Sequence, residues 1–153
     1  VAMARVPWLC LIPGDLVAHV IGKGGQAIRN ICETSGAEVS LSRDGETPST
    51  LADKVVTFRG LPDQQQRACG QVVRKLRGLH ELNEYEAGIF VTLVPEASAP
   101  AIIGSKGASI KHIMEQSGAE VKVGREVVLG TQFVPIILEG TAEQVVGGIV
   151  RIQ

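Results

Sequence analysis

Aromatic residues are scarce in this chain, where they make up 3% of 153 residues, with one Trp and one Tyr. Modules that hold nucleic-acid bases by aromatic stacking, such as RRM sheets and stacking OB-folds, are therefore disfavoured. Hydrophobic residues still account for 44% of the chain. Any core must accordingly be built mainly from Val, Ile, Leu and Ala.

Cysteines and long apolar runs are also few. Cys10, Cys32 and Cys69 are odd in number and widely spaced, which fits neither a disulfide framework nor a metal site, and the three histidines share no metal-ligand spacing with them. We expect reduced thiols, no metal, no cofactor and an intracellular protein of the nucleus or cytoplasm. No apolar run reaches the length of a membrane span, so no membrane partner is expected. Because residue 1 is Val, we expect the sequence to be an excerpt.

The net charge of −1 conceals an uneven distribution of charge. Residues 1–79 carry ten Lys/Arg and seven Asp/Glu, a net of +3, whereas residues 80–153 carry five and nine, a net of −4. Phosphate binding depends on the local potential more than on the total. The near-zero net charge of the chain therefore does not exclude nucleic-acid binding by either half.

An internal repeat sets the domain organisation. Residues 12–43 align without gaps on residues 94–125 at an offset of 82, and 13 of the 32 pairs are identical. The run Ser-Gly-Ala-Glu-Val occurs at 35–39 and again at 117–121. The offset later falls to 80, so a two-residue length change lies in a loop. The chain is a duplicated unit.

Each repeat shows the same order of structural signals. In the first we expect a strand, a short helical turn, a longer helix, two strands and a final helix at 8–12, 15–20, 26–35, 37–42, 54–59 and 62–79. Gly36 stands where a left-handed cap would end the longer helix. The second repeat follows the same order from Ile89, and Thr141 to Gln144 form a capping-box pattern before its last helix. Because the sequence stops at Gln153, we expect that helix to be cut short.

The order β-α-α-β-β-α, with Gly-x-x-Gly between the first two helices, resembles the KH (K-homology) type I domain, twice. The signature Ile-Gly-x-x-Gly-x-x-Ile-x-x-Ile, followed by Ser-Gly-Ala-x-Val, is complete in both copies. The resemblance implies an α+β fold of two tandem domains, each a three-stranded antiparallel sheet packed against three helices. We expect domains at 5–80 and 89–153, joined by a short linker at 81–88.

Both Gly-x-x-Gly turns have the chemistry for holding phosphates. Glycine leaves no Cβ and permits positive φ, so a phosphate backbone can approach the main chain closely. Each turn also feeds the N-terminus of a helix, which favours anions, and each carries a lysine, Lys23 or Lys106. The alternative is that the motif only forms a tight connection between two helices and binds no ligand.

The resemblance also implies an aliphatic groove that holds about four nucleotides of single-stranded RNA in each domain. In the first repeat the implied RNA-binding residues are Val20, Ile21, Gly22, Lys23, Gly24, Gly25, Ile28, Arg29, Val39, Leu41, Arg43 and Lys54. In the second they are Ile102, Ile103, Gly104, Ser105, Lys106, Gly107, Ile110, Lys111, Val121, Val123 and Arg125. Plain core packing is the alternative for the helical isoleucines.

The chain departs from one group within the family. The chain resembles the poly(C)-binding and Nova-like group, in which members similar to poly(C)-binding proteins often carry an arginine four residues after the helical Ile, where it can read cytosine. Cys32 and Met114 stand at that place here and cannot donate a forked pair of hydrogen bonds. Lys54 can partly substitute in the first repeat, whereas Val134 occupies the matching place in the second. Strict poly(C) specificity is therefore not expected.

Several partners and arrangements stay open from the sequence. Single-stranded DNA is an alternative ligand, and a protein-interaction scaffold with one RNA-competent domain is an alternative role; nothing supports an enzyme. Arg67, Arg74, Lys75 and Arg77 make one helix face basic, which indicates a solvated face, with a phosphate-contacting stripe as the alternative. If the two domains pack together, Trp8 and Phe90 on their first strands are the expected interface residues.

Overall fold

The computed structural model describes residues 7–42, 54–124, 126–128 and 132–152. Two implied RNA-binding residues, Arg43 and Arg125, lie outside the described residues.

Both repeats contain the predicted six elements in the predicted order. The first comprises β1 (Trp8–Ile12), α1 (Val17–Ile21), α2 (Gln26–Ser35), β2 (Glu38–Leu41), β3 (Lys54–Arg59) and α3 (Pro62–Leu79). The second comprises β4 (Gly88–Pro95), α4 (Ala99–Ile103), α5 (Ala108–Ser117), β5 (Glu120–Val123), β6 (Phe133–Gly140) and α6 (Ala142–Ile152). Two tandem β-α-α-β-β-α units confirm the predicted α+β fold.

Local sequence signals explain where the helices begin and end. Gly36, at φ 77°, ends α2 in the left-handed region, and its N–H donates to the Cys32 carbonyl at 2.9 Å. The capping box before α6 is formed: the Thr141 N–H donates to Gln144 Oε1 at 2.9 Å, and the Gln144 N–H donates to Thr141 Oγ1 at 3.3 Å. Both boundaries were readable from the sequence.

The six strands that the structure describes form one antiparallel sheet in the order β2-β3-β1-β4-β6-β5. Each repeat supplies three neighbouring strands, and the two halves meet where β1 pairs with β4. In that junction Leu9 lies opposite Leu93, Cys10 opposite Thr92, and Leu11 opposite Val91. The buried Thr92 hydroxyl strengthens the junction by donating to the Leu9 carbonyl at 2.7 Å.

The helices of both repeats cover one face of the sheet. β1 buries every second residue, Trp8, Cys10 and Ile12, and β4 buries Phe90 and Val94 on the same side. These side chains belong to one hydrophobic core that includes residues from both repeats. None of the helices that the structure describes is long and apolar enough to cross a membrane.

Trp8 and Phe90 lie at the margin of the junction, outside the register that joins Leu9–Leu11 to Val91–Leu93. Trp8 lies opposite Phe58 within its own repeat. Phe90 lines a small cavity together with Val73 and Leu76 of α3, so it reaches the first repeat. Strand pairing carries the junction, and these aromatic rings flank it.

Arg77 connects the two repeats at the end of α3. Its side chain is buried, Nη1 donates to the Gly140 carbonyl at 2.9 Å, and Nη2 donates to the carbonyls of Asn83 (3.0 Å) and Glu86. One guanidinium therefore holds the end of β6 and the linker against α3. The helices α3 and α6 also pack against each other.

Candidate nucleic-acid interface

The first glycine of each turn is required by packing. Gly22 ends α1 at φ 78°, and a Cβ at this position would lie 2.6 Å from Ala27 Cβ. Gly104 occupies the matching place at φ 75°, and its Cβ would lie 2.4 Å from Ser109 Oγ. Neither distance is compatible with a side chain, so these two glycines bring the paired helices into close contact.

The last two glycines of the first turn have a different role. Gly24 and Gly25 have φ values of 64° and 76°, and a Cβ at either would meet nothing within 4 Å. Their backbone faces open space, next to the exposed Lys23 and directly before α2. The N-terminal N–H groups of the ten-residue α2 and one ammonium group therefore lie together at an accessible turn.

The second turn places its cation differently. Lys106 occupies the position of Gly24 and has φ 55°, in the left-handed region that costs a residue with a side chain about 1–2 kcal/mol. Gly107 follows at φ 76°, with only Ile110 Cγ2 near its hypothetical Cβ, at 3.9 Å. Ser105 stands where the first turn has Lys23, and its side chain is exposed. The two turns share one backbone shape and differ in where the ammonium group projects.

The implied aliphatic residues divide into buried and accessible groups. Val20, Val39 and Val121 are almost fully buried, so they have little surface to offer a base. The residues with accessible surface are Ile21, Ile28, Leu41, Ile102, Ile103, Ile110 and Val123. Ile103, at 37% relative exposure, is the most open of them. The exposed Arg29 and Lys111 follow the turns on α2 and α5.

The core interpretation holds for one helical isoleucine in each repeat. Ile31 and Ile113 are buried, whereas Ile28 and Ile110, three residues earlier, are partly exposed beside the turns. The three-residue spacing separates a core position from a position at the margin of the core. The sequence could not separate them, because both positions fit the apolar face of one helix.

Cys32 and Met114 are partly exposed and pack against the margin of the core. The Cys32 thiol lies 4.0 Å from the Val39 carbonyl, which shows α2 lying directly over β2. Met114 is half-buried and packed against the core. Lys54 begins β3 opposite Ile12 and is partly exposed. Val134 is buried.

The basic face of α3 is not a continuous stripe. Arg67 forms an ion pair with Asp63 at 3.0 Å, and Arg77 is buried against backbone carbonyls. Arg74 is exposed and Lys75 partly so. The expectation of a solvated face therefore fails for Arg77, because the second repeat covers that end of the helix.

The other titratable groups offer no catalytic or metal-binding arrangement among the residues that the structure describes. Burial raises the pKa of the Cys69 thiol to about 12. Burial, with a contribution from the neighbouring Cys69, also raises the pKa of Cys10 well above its usual range. Both thiols are consequently neutral core groups. No cluster of three metal-ligating side chains occurs among the described residues.

Two residues that shape the site's setting were missed by sequence reasoning. Thr92 and Arg77 act between the repeats, and neither belongs to a recognisable motif. The available signal for Thr92 was its alignment with Cys10 in the repeat, which places a hydroxyl where the first copy has a thiol. Arg77 carried no signal beyond its basic neighbours.

Both repeats of the chain match a known protein family. The family model described as the KH domain matches residues 9–74 and again residues 89–153. Human far upstream element-binding protein 2 is 32% identical over 137 residues, which cover 84% of this chain and 19% of that protein. Human RNA-binding protein Nova-2 is 27% identical over 152 residues, covering 88% of this chain and 31% of that protein. The chain thus spans less than a third of either relative.

Proposed function

The chain belongs to the KH domain family, and we propose that it is a non-catalytic protein that binds single-stranded RNA through two grooves, one in each repeat. Each groove takes about four nucleotides, with phosphates at the Gly-x-x-Gly turn and bases on the accessible aliphatic residues beside it. The proposed role is post-transcriptional regulation of RNA in the nucleus or cytoplasm. The proposed domains are residues 5–80 and 89–153, with the linker at 81–88.

The observation that carries the proposal is the accessible backbone of the two Gly-x-x-Gly turns. Gly24, Gly25 and Gly107 all have positive φ and leave at least 3.9 Å of room where a side chain would stand. Such room lets a phosphate reach backbone N–H groups at the start of α2 or α5. The resemblance to Nova-2, whose name describes an RNA-binding protein, supports RNA as the ligand.

Aliphatic side chains beside the turns favour single strands over duplexes. A base must leave a helix to lie flat on Ile28 or Ile110, because a duplex presents only base edges and backbone. Contact with branched aliphatic groups depends on shape and van der Waals attraction, since the groove has no stacking aromatic at these positions. Discrimination between bases then comes from hydrogen bonds at their edges.

The test uses aspartate substitutions in the turns of the whole chain. The first-groove variant combines Lys23→Asp with Gly24→Asp, and the second-groove variant combines Ser105→Asp with Lys106→Asp. Each variant lowers the net charge by three and places two carboxylates against the incoming phosphates. Asp tolerates the left-handed conformation at these exposed positions, so we expect the fold to persist.

A charge-matched control separates a local effect from a general one. Gln66→Asp with Arg74→Asp also lowers the net charge by three, on the exposed surface of α3. Each groove variant alone should lose more affinity for a random single-stranded RNA pool at physiological salt than the control, which carries the same change in charge. Combining both groove variants should abolish binding. Retained affinity in the combined variant would refute the proposed binding mode. Tighter binding of the native chain to the matching DNA pool would reassign the ligand.

A further inference from the structure

The junction between the repeats has internal two-fold symmetry. At the repeat offset of 82, the counterparts of Leu9, Cys10 and Leu11 are Val91, Thr92 and Leu93. In the sheet Cys10 lies opposite Thr92, its own counterpart, and the pairs on either side exchange partners symmetrically. A local two-fold axis therefore passes between Cys10 and Thr92. It runs perpendicular to the sheet, because the helices of both repeats cover the same face.

Hydrogen bonds and helix packing between the repeats hold them in one orientation. The Thr92 hydroxyl donates across the junction to Leu9, and the Arg77 guanidinium bonds to the Gly140 carbonyl of the other repeat. Beneath the sheet α3 packs on α6, where a Cβ on Gly70 would lie 3.9 Å from Val146 Cγ2. The six strands consequently behave as one body.

The symmetry fixes where the two proposed grooves lie. The strands beside the two turns, β2 and β5, are the outermost strands of the sheet, and the other four strands lie between them. Five strand spacings of about 4.8 Å put these edges about 24 Å apart. Rotation about the two-fold axis reverses the direction of a strand in the sheet, so β2 and β5 run antiparallel to each other.

We propose that the two grooves hold segments of opposite polarity from a single RNA strand, so that the preferred ligand reverses direction between its two binding segments. This inference rests on the proposed function, because it needs RNA in both grooves. If each repeat binds RNA with one polarity relative to its own turn, the symmetry operation inverts that polarity in the other repeat. A looped strand satisfies both grooves, whereas a short straight strand reaches only one.

The experiment uses the whole chain and RNAs with one or two copies of a tetranucleotide selected from a random pool against that chain. The two copies are joined by uridine spacers of increasing length, and the ends carry a donor and an acceptor dye. Affinity is measured by anisotropy, and the separation of the ends is measured by energy transfer in the bound state. The first-groove and second-groove variants provide the single-site reference.

The expected result has two parts. Two-site RNA with a short spacer should bind no better than one-site RNA, and a spacer long enough to turn should then raise the affinity about 100-fold or more. Energy transfer should be high at every spacer length that permits two-site binding, because opposite polarity places the 5′ end of one bound segment and the 3′ end of the other at the same end of the sheet, about 24 Å apart.

Other results overturn the inference in distinguishable ways. Tight two-site binding without a spacer would show that the segments do not run in opposite directions. Low energy transfer from two-site RNA that binds tightly would show the same, because parallel segments would place the two ends at opposite ends of the sheet. Affinity that never exceeds the one-site value would show that one strand does not occupy both grooves, while one-site binding leaves the proposed function intact. Failure of the one-site RNA to bind would refute the proposed function itself.

Discussion

Replacing Arg77 with Met tests whether one guanidinium holds the two repeats together. Methionine keeps most of the aliphatic volume and removes every donor, so the effect reports hydrogen bonding more than packing. The substitution orphans the Gly140 carbonyl, whose bond to Arg77 is buried, and loosens the partly buried bonds to Asn83 and Glu86. An unsatisfied buried carbonyl costs about 1–3 kcal/mol. Because the two linker carbonyls can regain water, we expect a total loss of about 2–4 kcal/mol.

The measurement is urea unfolding of the whole chain, followed by far-UV circular dichroism. Arg74→Met is the matched control, since Arg74 lies on the same helix and is exposed, and we expect it to change the free energy of unfolding by no more than about 0.5 kcal/mol. We also expect Arg77→Met to weaken two-site RNA binding while one-site affinity stays unchanged. Equal unfolding midpoints for the two variants would refute the reasoning.

Three further predictions concern other parts of the molecule. In native protein at pH 8, thiol reagents should label the partly exposed Cys32 but spare Cys10 and Cys69, because burial shields both thiols and raises their pKa. Equal labelling of all three cysteines, measured by mass spectrometry of the labelled peptides, would contradict this. Gly104→Ala should lower the melting temperature far more than Gly107→Ala, because only the former drives its Cβ into a neighbour. The second-groove variant, which keeps the positively charged repeat's site, should bind RNA more tightly and with a steeper salt dependence than the first-groove variant; equal salt slopes in titrations would contradict this.

The elements of each repeat were predictable because their signals are local. Gly36 marks the end of α2 through its left-handed backbone, and Thr141 with Gln144 marks the start of α6 through reciprocal hydrogen bonds. Such signals act within a few residues of chain, so a single sequence carries them. The shape of the Gly-x-x-Gly turns was predictable for the same reason.

The relation between the repeats was not predictable to the same degree. Arg77 reads as one of several basic residues on a helix face, and only the approach of the second repeat turns it into a buried donor. Likewise the apolar pattern of β1 shows that one face is covered but does not show which strand lies at its edge. Long-range pairing depends on complementary surfaces, which leave no periodic trace in the sequence.

The pairing of β1 with β4 also has a consequence for self-association. Unpaired strand edges are templates for aggregation, and the strand Trp8–Ile12 would be an apolar one if its repeat stood alone. In the tandem that edge is occupied by the chain itself. Among the residues that the structure describes, the outermost strands β2 and β5 are only four residues long, and they carry the exposed charges of Glu38, Glu120 and Lys122. Cutting the chain between its repeats would therefore expose the edges of β1 and β4 to aggregation, whereas in the intact chain these two strands pair with each other.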